Sequence, residues 1–339
     1  MALKAAVNGT GRIGLIAIKI LTERSDTELV AINTTASLEM LAYLLKYDTV
    51  HRGAEVEIVN EETLRINGKS VHVFSERDPE KLDFGAKGAE AVLECTGVFL
   101  TTEKAKAFLK NGVKRVVMSA PAKDDETATF VLNINTDQYN GEAIVSNASC
   151  TTNALAPVCK VLDDAFGIEN GLMTTIHSYT NDQNLLDVKH KKDFRRARAA
   201  AVNMIPTTTG AAKAIGLVMP HLKGKLNGYA MRVPTTDVSV VDLTVNLKKT
   251  VTKEQVNAAF EAAADAGFKG LIEIDHDKRV SSDFVGSSYS TTIAPDMTSV
   301  VDSNTVKVLA WYDNEWGYTE RLVDMAILVS HTAHNHHDN

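Results

Sequence analysis

The sequence predicts an α/β protein in two parts. A largely parallel sheet with helices on both faces comes first. An α+β domain with a mainly antiparallel sheet follows. Three observations carry this. Strand and helix patterns alternate through residues 1–149, as they do when helices are the crossovers of a parallel sheet. A glycine turn, "NGTGRIG", joins the first strand pattern to the first helix pattern. Beyond residue 150 the alternation fades, and a long strand-rich stretch, "GYAMRVPTTDVSVVDLTVNL", takes over.

In chain order, "KAAVNG" reads as an apolar strand, and "GRIGLIAIKILTER" has helical spacing at Ile13, Ile16, Ile20 and Leu21. "ELVAIN" is the next strand, and "SLEMLAYLLKYD" a helix capped by Ser37. "EVEIV", "LRING" and "VHVFSE" are short and alternating, which predicts a hairpin-like insertion. "AEAVLECTG" and "VKRVVMSAP" are buried-type strands flanking a helix over "TTEKAKAFLKNG". "TFVLNIN" and "AIVSN" read as further strands. A helix over about 151–166 precedes the strand "GLMTTIHS", and a Lys- and Arg-rich stretch without periodicity covers about 179–206. The closing helix "GYTERLVDMAILVSH" puts Leu322, Met325, Ala326 and Val329 on one face, suited to packing back on the first domain. The expected division is 1–149 with 315–339 in one domain and 150–314 in the other.

The bulk numbers narrow the class. The 339 residues suffice for two domains, and 44% apolar with 23% charged residues is ordinary for a soluble protein. A net charge of −7 argues against nucleic acid or an anionic membrane as a main partner. The N-terminus moves straight into a strand without a signal pattern, and no apolar run approaches spanning length, so a cytoplasmic location is expected. Cys95, Cys150 and Cys159 lack metal-type spacing, which suits a reducing compartment and leaves room for a working thiol. The tail "HTAHNHHDN" has His331, His334, His336 and His337. It reads as a solvated terminus or an expression remnant rather than a metal site.

Gly9, Gly11 and Gly14 form G-x-G-x-x-G between a strand and a helix. That context makes it the fingerprint of a Rossmann-type dinucleotide-binding domain. The first glycine allows the tight turn, the second lets backbone approach a pyrophosphate, and the third lets helix and strand pack closely. Arg12 and Ile13 lie inside the motif, and Arg12 offers added positive charge.

"SNASCTTNALAPVCK" puts Cys150 at the start of a helical pattern, with Ser149, Thr151, Thr152 and Asn153 supplying hydroxyls and amides around it. A thiol there has its thiolate favoured by the helix N-terminus, and the same geometry suits an oxyanion or phosphate. Cys95 and Cys159 read as core packing. His177 ends a strand in "TTIHSYTNDQ". Cys150 and His177 are therefore a candidate nucleophile and base. Their separation along the chain says nothing of their distance.

Taken together, "NGTGRIG", "LLKYDTVH", "ECTGVF", "SAPAKD", "SNASCTTN", "HSYTNDQ", "RRARAAA", "IPTTTGAAKA", "MRVPT" and "WYDNEWGY" resemble the phosphorylating glyceraldehyde-3-phosphate dehydrogenases along nearly the whole chain. The resemblance implies a homotetramer that binds a nicotinamide cofactor on its first domain. It implies that Cys150 attacks the aldehyde of glyceraldehyde 3-phosphate, and that His177 raises thiolate nucleophilicity and accepts the hydroxyl proton as hydride leaves. Inorganic phosphate would then release the thioester as 1,3-bisphosphoglycerate. Thr96 and Ser119 match cofactor-side positions, and Asn314 matches the residue that orients the nicotinamide carboxamide, with Tyr318 nearby. Thr180, Asp182 and Arg232 match the groups around the substrate phosphate. Ser149, Thr151, Thr209, Gly210 and Arg196 match the inorganic phosphate site. Ala154 stands where many members have a second cysteine, so oxidised Cys150 is expected to reach sulfenic acid or a mixed disulfide instead of an intrachain bond there.

Two departures concern the cofactor. NAD-using members typically place Asn-Asp where this chain has Asn33 and Thr34. Asn33 is expected to cap the ribose region. The acid also repels a 2′-phosphate, by roughly 1–4 kcal/mol for like charges 4 Å apart near a surface, and Thr34 removes that repulsion. Val188 and Lys189 replace a Leu-Pro pair in a loop that, in the family, reaches the adenosine end of a neighbouring subunit's cofactor. Arg77 matches an adenine-proximal position. NADP use, alone or beside NAD, is the expectation. A strictly NAD-dependent glycolytic enzyme, an erythrose-4-phosphate dehydrogenase and a catalytically dead binding paralogue are the alternatives. The intact Cys, His and phosphate segments speak against the last two.

Overall fold

The protein, seen in a computed structural model, is described over residues 1–335, with side chains as far as His331. The side chain of His334, and all of His336 and His337, lie outside the described residues. Cα proximity divides the chain into two compact units, Met1–Leu132 with Thr136–Ser149 and Thr319–Asn339, and Cys150–Tyr318 with Asn133–Asn135.

The first unit is built on β1 (Leu3–Asn8), β2 (Thr27–Asn33), β3 (Val56–Asn60), β4 (Thr63–Ile66), β5 (Lys69–Phe74), β6 (Ala91–Glu94), β7 (Arg115–Met118), β8 (Ala128–Thr129) and β9 (Ile144–Ser146). They form one sheet in the order β3-β4-β5-β2-β1-β6-β7-β9-β8. Pairing is parallel from β5 through β8, whereas β3, β4 and β5 form an antiparallel meander that extends one edge. The order reverses at β1, so the ends of β1, β2 and β6 open a crevice there. Helices α1 (Arg12–Glu23) and α2 (Leu38–Lys46) follow β1 and β2. In α1, Ile16, Ile20 and Leu21 are buried as their spacing predicts, and Ser37 caps α2 by accepting from the Met40 amide.

Two expected elements in this unit are shorter than their patterns. The helix over "TTEKAKAFLKNG" is α3 (Thr102–Ala105) with one 3-10 turn, Lys106–Phe108. Leu109 already leaves helical backbone, at φ −82° and ψ +76°, ahead of the left-handed Asn111 and Gly112. The strand expected in "TFVLNIN" is only Ala128–Thr129. Phe130 and Val131 are buried outside it, so their apolar character serves packing rather than pairing.

The second unit holds α4 (Cys150–Phe166), β10 (Ile168–Ser178), β11 (Ile205–Thr208), α5 (Ala211–Val218), β12 (Leu226–Val233), β13 (Ser239–Leu247), α6 (Lys253–Asp265), β14 (Ile272–Ile274), β15 (Thr291–Ile293), β16 (Ser299–Val301) and β17 (Thr305–Tyr312). The sheet runs β11-β12-β10-β13-β17-β15-β14, with β16 beside β17. Only β10 with β12 and β14 with β15 pair in parallel, so the mixed, mainly antiparallel expectation holds. The closing helix α7 (Trp316–Asn335) begins in this unit, but its residues from Thr319 belong to the first. Leu322, Met325, Ala326 and Val329 are fully buried along it.

Candidate active site

In the first unit, Gly9 has φ +102°, and a Cβ there would lie 2.9 Å from the Thr96 amide. A Cβ on Gly14 would meet the Gly9 carbonyl, which explains the close approach of α1 to the turn. A Cβ on Gly11 would meet nothing within 4 Å, so the turn is open to a ligand at that point. Gly11 is also the N-cap of α1 and supplies no capping side chain, leaving the helix end, with Ile13 in its first turn, suited to a pyrophosphate.

Several candidate groups here are engaged within the fold. Arg12, expected to add charge beside the phosphates, instead holds Asp48 through two bonds of 3.0 and 3.2 Å. Asp48 also faces the buried Lys19 at 3.4 Å. Burial works against the Asp48 carboxylate, but Arg12 and the Val50 and His51 amides hold its pKa far below the usual range. Asn33, expected to cap the ribose region, donates to Asn8 Oδ1 and to the Glu76 carbonyl and accepts from the Glu76 amide. One amide hydrogen ties β2 to β1 and the other ties it to the loop after β5. Thr34 is buried, with its hydroxyl 2.6 Å from that of Thr10 and 3.1 Å from the Ala36 amide.

A cavity of about 260 Å³ is lined by Asn8, Asn33, Glu76, Arg77, Thr96 and Phe99, among others. It brings Arg77 and Thr96 together. Bonded to the lining residues Asn8 and Thr96, Glu94 is fully buried, accepting from Asn8 at 2.7 Å and from the Thr96 hydroxyl and amide. Burial raises its pKa to about 7 against those bonds. Sequence reading missed this carboxylate, because a Glu ending an apolar strand gives no sign that it is buried. Ser119 joins the same strand ends, its amide donating to the Glu94 carbonyl. Lys189 is exposed in the second unit.

In the second unit the thiol and the imidazole meet. Cys150 opens α4, two residues after Ala148, which takes left-handed backbone at φ +59°. That conformation costs a non-glycine residue about 1–2 kcal/mol, and it turns the chain sharply into the helix behind Ser149. His177 sits at the end of β10 with Nε2 3.6 Å from Cys150 Sγ. The register of β10 with β12 sets Arg232 opposite His177. Arg232 Nη1 is 2.7 Å from His177 Nδ1 and donates to the Ser178 carbonyl at 2.9 Å. That carbonyl is itself 2.7 Å from Nδ1.

Nδ1 cannot satisfy both neighbours at once. With its proton on Nδ1, the ring donates to Ser178 and offers Nε2 to the thiol as a base. With the proton on Nε2, Nδ1 accepts from Arg232 and the ring offers the sulfur a donor. Burial, then the Arg232 charge, push the imidazole pKa down to about 3. Burial raises the thiol pKa, with Arg232 and Thr151 acting against it. The helix N-terminus alone was expected to favour the thiolate, but desolvation of a lone charge outweighs it while the imidazole is neutral.

Tyr312, absent from the sequence candidates, lies behind this pair. Its buried hydroxyl is 2.8 Å from Thr151 Oγ1 and 2.7 Å from Thr175 Oγ1. Its ring packs edge-on to His177 at 6.1 Å. The alternation of β17 marks its position as inward, but only the β13–β17 pairing brings it to α4.

The anion candidates are arranged around the start of α5. Gly210 is its N-cap, and Thr209 accepts from the Ala211 amide at 3.2 Å. Thr152 donates to the Ala211 carbonyl at 3.5 Å, joining the first turns of α4 and α5. Arg196 bonds Thr207, the Thr208 carbonyl and Asp182, the last at 2.8 Å. Arg196 and Asp182, assigned to different phosphates by resemblance, are thus an ion pair here. Thr180 is exposed on the same segment.

Asn314 follows Asp313, which accepts from the Glu315 and Trp316 amides and so caps α7. Asn314 Oδ1 accepts from Ser178 and Ser239 at 3.1 and 2.9 Å. Among the described residues its Nδ2 has no partner. It is the kind of outward donor that a carboxamide would meet. Tyr318 is buried in α7.

Two family models match this chain. The model described as glyceraldehyde 3-phosphate dehydrogenase, NAD binding domain, matches residues 3–102. The corresponding C-terminal domain model matches residues 149–314. Glyceraldehyde-3-phosphate dehydrogenase of Geobacillus stearothermophilus is 52% identical over 333 residues, covering 97% of this chain and 99% of that protein. Glyceraldehyde-3-phosphate dehydrogenase 1 of Bacillus subtilis is 50% identical with the same coverage. Chloroplastic glyceraldehyde-3-phosphate dehydrogenase B of Pisum sativum is 50% identical over 97% of this chain and 74% of that protein. With such identity sustained from the glycine turn to the last helix, the chain belongs to the glyceraldehyde-3-phosphate dehydrogenase family.

Proposed function

We propose that the protein oxidises D-glyceraldehyde 3-phosphate with inorganic phosphate to 1,3-bisphosphoglycerate, reversibly, and that it accepts NADP as well as NAD. The observation that carries the chemistry is the 3.6 Å approach of His177 Nε2 to Cys150 Sγ, with Nδ1 held at the Ser178 carbonyl.

The steps follow from where protons can go. Nε2 takes the thiol proton as Sγ bonds to the aldehyde carbon, and the carbonyl oxygen takes that proton to become a hydroxyl. The thiohemiacetal is then oxidised: Nε2 accepts the hydroxyl proton as a hydride leaves the same carbon. The bound nicotinamide supplies the acceptor for that hydride. A phosphate oxygen attacks the resulting thioester carbonyl, and Sγ leaves as thiolate. Arg232 stabilises negative charge near Sγ and keeps the ring ready to give its proton back. Arg232, Thr180 and Asp182 serve the substrate phosphate. Thr209, Gly210, Thr151, Ser149 and Arg196 serve inorganic phosphate, which draws Arg196 from Asp182.

The cofactor reading rests on Thr34. Its hydroxyl, fixed by Thr10 and Ala36, brings no charge to the end of β2. Lys189 would act from a neighbouring subunit. A homotetramer is supported by the bare apolar side chains of the 185–204 segment, where Leu185 is 83% and Phe194 97% exposed. No helix among the described residues is long and apolar enough to cross a membrane.

The test is kcat/KM for NAD and NADP with glyceraldehyde 3-phosphate and phosphate, and again with erythrose 4-phosphate. Phosphate-dependent turnover of the triose with both cofactors is expected. A preference for NAD beyond about a hundredfold, about 2.7 kcal/mol, would overturn dual use. Faster turnover of erythrose 4-phosphate would overturn the substrate.

A further inference from the structure

We propose that Ser178 and Ser239 are positioning residues that lock the Asn314 amide with its nitrogen outward. Asn314 then meets the pyridine 3-substituent of the cofactor as a hydrogen-bond donor only. This rests on the reading of Asn314 as the carboxamide contact.

The lock follows from proton counting. Both serines are buried. The Ser178 amide donates to Ser239 Oγ at 3.1 Å, so that hydroxyl is already an acceptor. Its single proton goes to Asn314 Oδ1 at 2.9 Å. The Ser178 hydroxyl gives its proton to the same oxygen at 3.1 Å. A flipped amide would set two N–H groups against two hydroxyls and leave both hydroxyl protons without an acceptor. An isolated asparagine has no such preference between its two orientations.

The backbone around the serines is specialised as well. Ser178 ends β10 one residue after His177, so the lock and the base share one strand end. Ser239 follows Val238, whose φ of +74° is an outlier for a β-branched residue. Such strain persists where the surroundings over-determine it, and it collects at functional sites. Here it delivers the first residue of β13 to Asn314. Asp313 fixes the other side by capping α7.

A donor-only Asn314 has a measurable signature. The carboxamide of NAD offers both a carbonyl and an amino group. The 3-acetylpyridine analogue keeps the carbonyl and has a methyl in place of the amino group. A locked donor meets the carbonyl of either ligand equally, whereas a freely turning asparagine can meet NAD in both of its orientations and the analogue in only one. The experiment is calorimetric binding of both dinucleotides to the wild type, Ser178→Ala, the Ser178→Ala/Ser239→Ala double variant and Asn314→Ala.

For the wild type, the two dissociation constants should agree within about threefold. The double variant should lose about twofold more affinity for the analogue than for NAD, the cost of selecting one of two equal amide orientations. Ser178→Ala keeps the Ser178 amide bond to Ser239 and should shift the ratio in the same direction by less. It decides the matter if the double variant does not fold. An unchanged ratio in the serine variants, with both affinities lowered by Asn314→Ala, overturns the lock but leaves the carboxamide contact standing. Unchanged affinities in Asn314→Ala overturn the contact itself and the lock with it.

Discussion

Arg232 lies directly across the parallel strand pair from His177, with Nη1 2.7 Å from Nδ1. A permanent cation there keeps the imidazole from holding a proton for long. Proton transfer from Cys150 to Nε2 is therefore a transient step within a pair whose resting groups are neutral. Removing the imidazole leaves the thiol with no nearby base. His177→Asn should slow alkylation of Cys150 by iodoacetamide at pH 7 by at least about tenfold and turnover by about 10²–10⁴. Alkylation as fast as in the wild type would show that the thiolate forms without the pair.

Acid stability should report the same imidazole. In the fold it stays neutral down to about pH 3, whereas in the unfolded chain it takes a proton near pH 6.5. Between those values only the unfolded state gains a proton. Stability is therefore lost as pH falls from about 6.5 towards 3, at up to about 1.4 kcal/mol per pH unit from this group. The unfolding free energy of His177→Gln, measured by urea titration at pH 5 and 7, should fall less with acid than that of the wild type.

Glu94 should act in the opposite direction. Its folded pKa, about 7, lies above the unfolded value. Its favourable contribution is present below the unfolded carboxylate range and is lost as pH rises through about 7. Glu94→Gln stays neutral at every pH. Its melting temperature relative to wild type should therefore improve from pH 5 to pH 8. An unchanged difference would mean that Glu94 is ionised in the fold across that range.

The Tyr312 hydroxyl should matter to stability and to rate. Tyr312→Phe leaves the Thr151 and Thr175 hydroxyls buried without this shared partner, at a cost of about 1–3 kcal/mol. It also loosens the first turn of α4, so kcat should fall along with the melting temperature. A normal kcat in a destabilised variant would restrict Tyr312 to packing.

Thr34→Asp should separate the two dinucleotides. An aspartate can accept from the Ala36 amide as Thr34 does now, and from the Thr10 hydroxyl that now bonds Thr34, so the turn should survive. NADP kcat/KM should fall at least about tenfold, with NAD changed little, in line with like-charge repulsion of about 1–4 kcal/mol. Lys189→Ala should raise the NADP KM selectively. Equal losses for both cofactors would mean that Thr34 does not face the 2′-position.

Much of this was legible in one dimension, because it depends on local rules. Gly9 and Gly14 are readable since a side chain cannot occupy their turn. Leu322, Met325, Ala326 and Val329 are readable since helical spacing puts them on one face. Cys150 declares itself by opening an amphipathic run among capping residues. The failures have equally local causes. Non-helical backbone at Leu109 ends a helix that composition would prolong, and burial of Phe130 imitates a strand.

Through its motifs the sequence alone determined the two-part α/β plan, the dinucleotide turn, the candidate thiol and imidazole, and the missing acid at Thr34. Tertiary structure decided which groups work together and which are already occupied. Long-range pairing put Arg232 beside His177, Tyr312 behind Thr151 and two serines on Asn314. It also turned Arg12 onto Asp48 and Asn33 onto Glu76. The physical reason is that a residue's type sets what it can donate, accept or charge. Only register and packing set what lies within 3 Å of it, and what desolvation does to its proton.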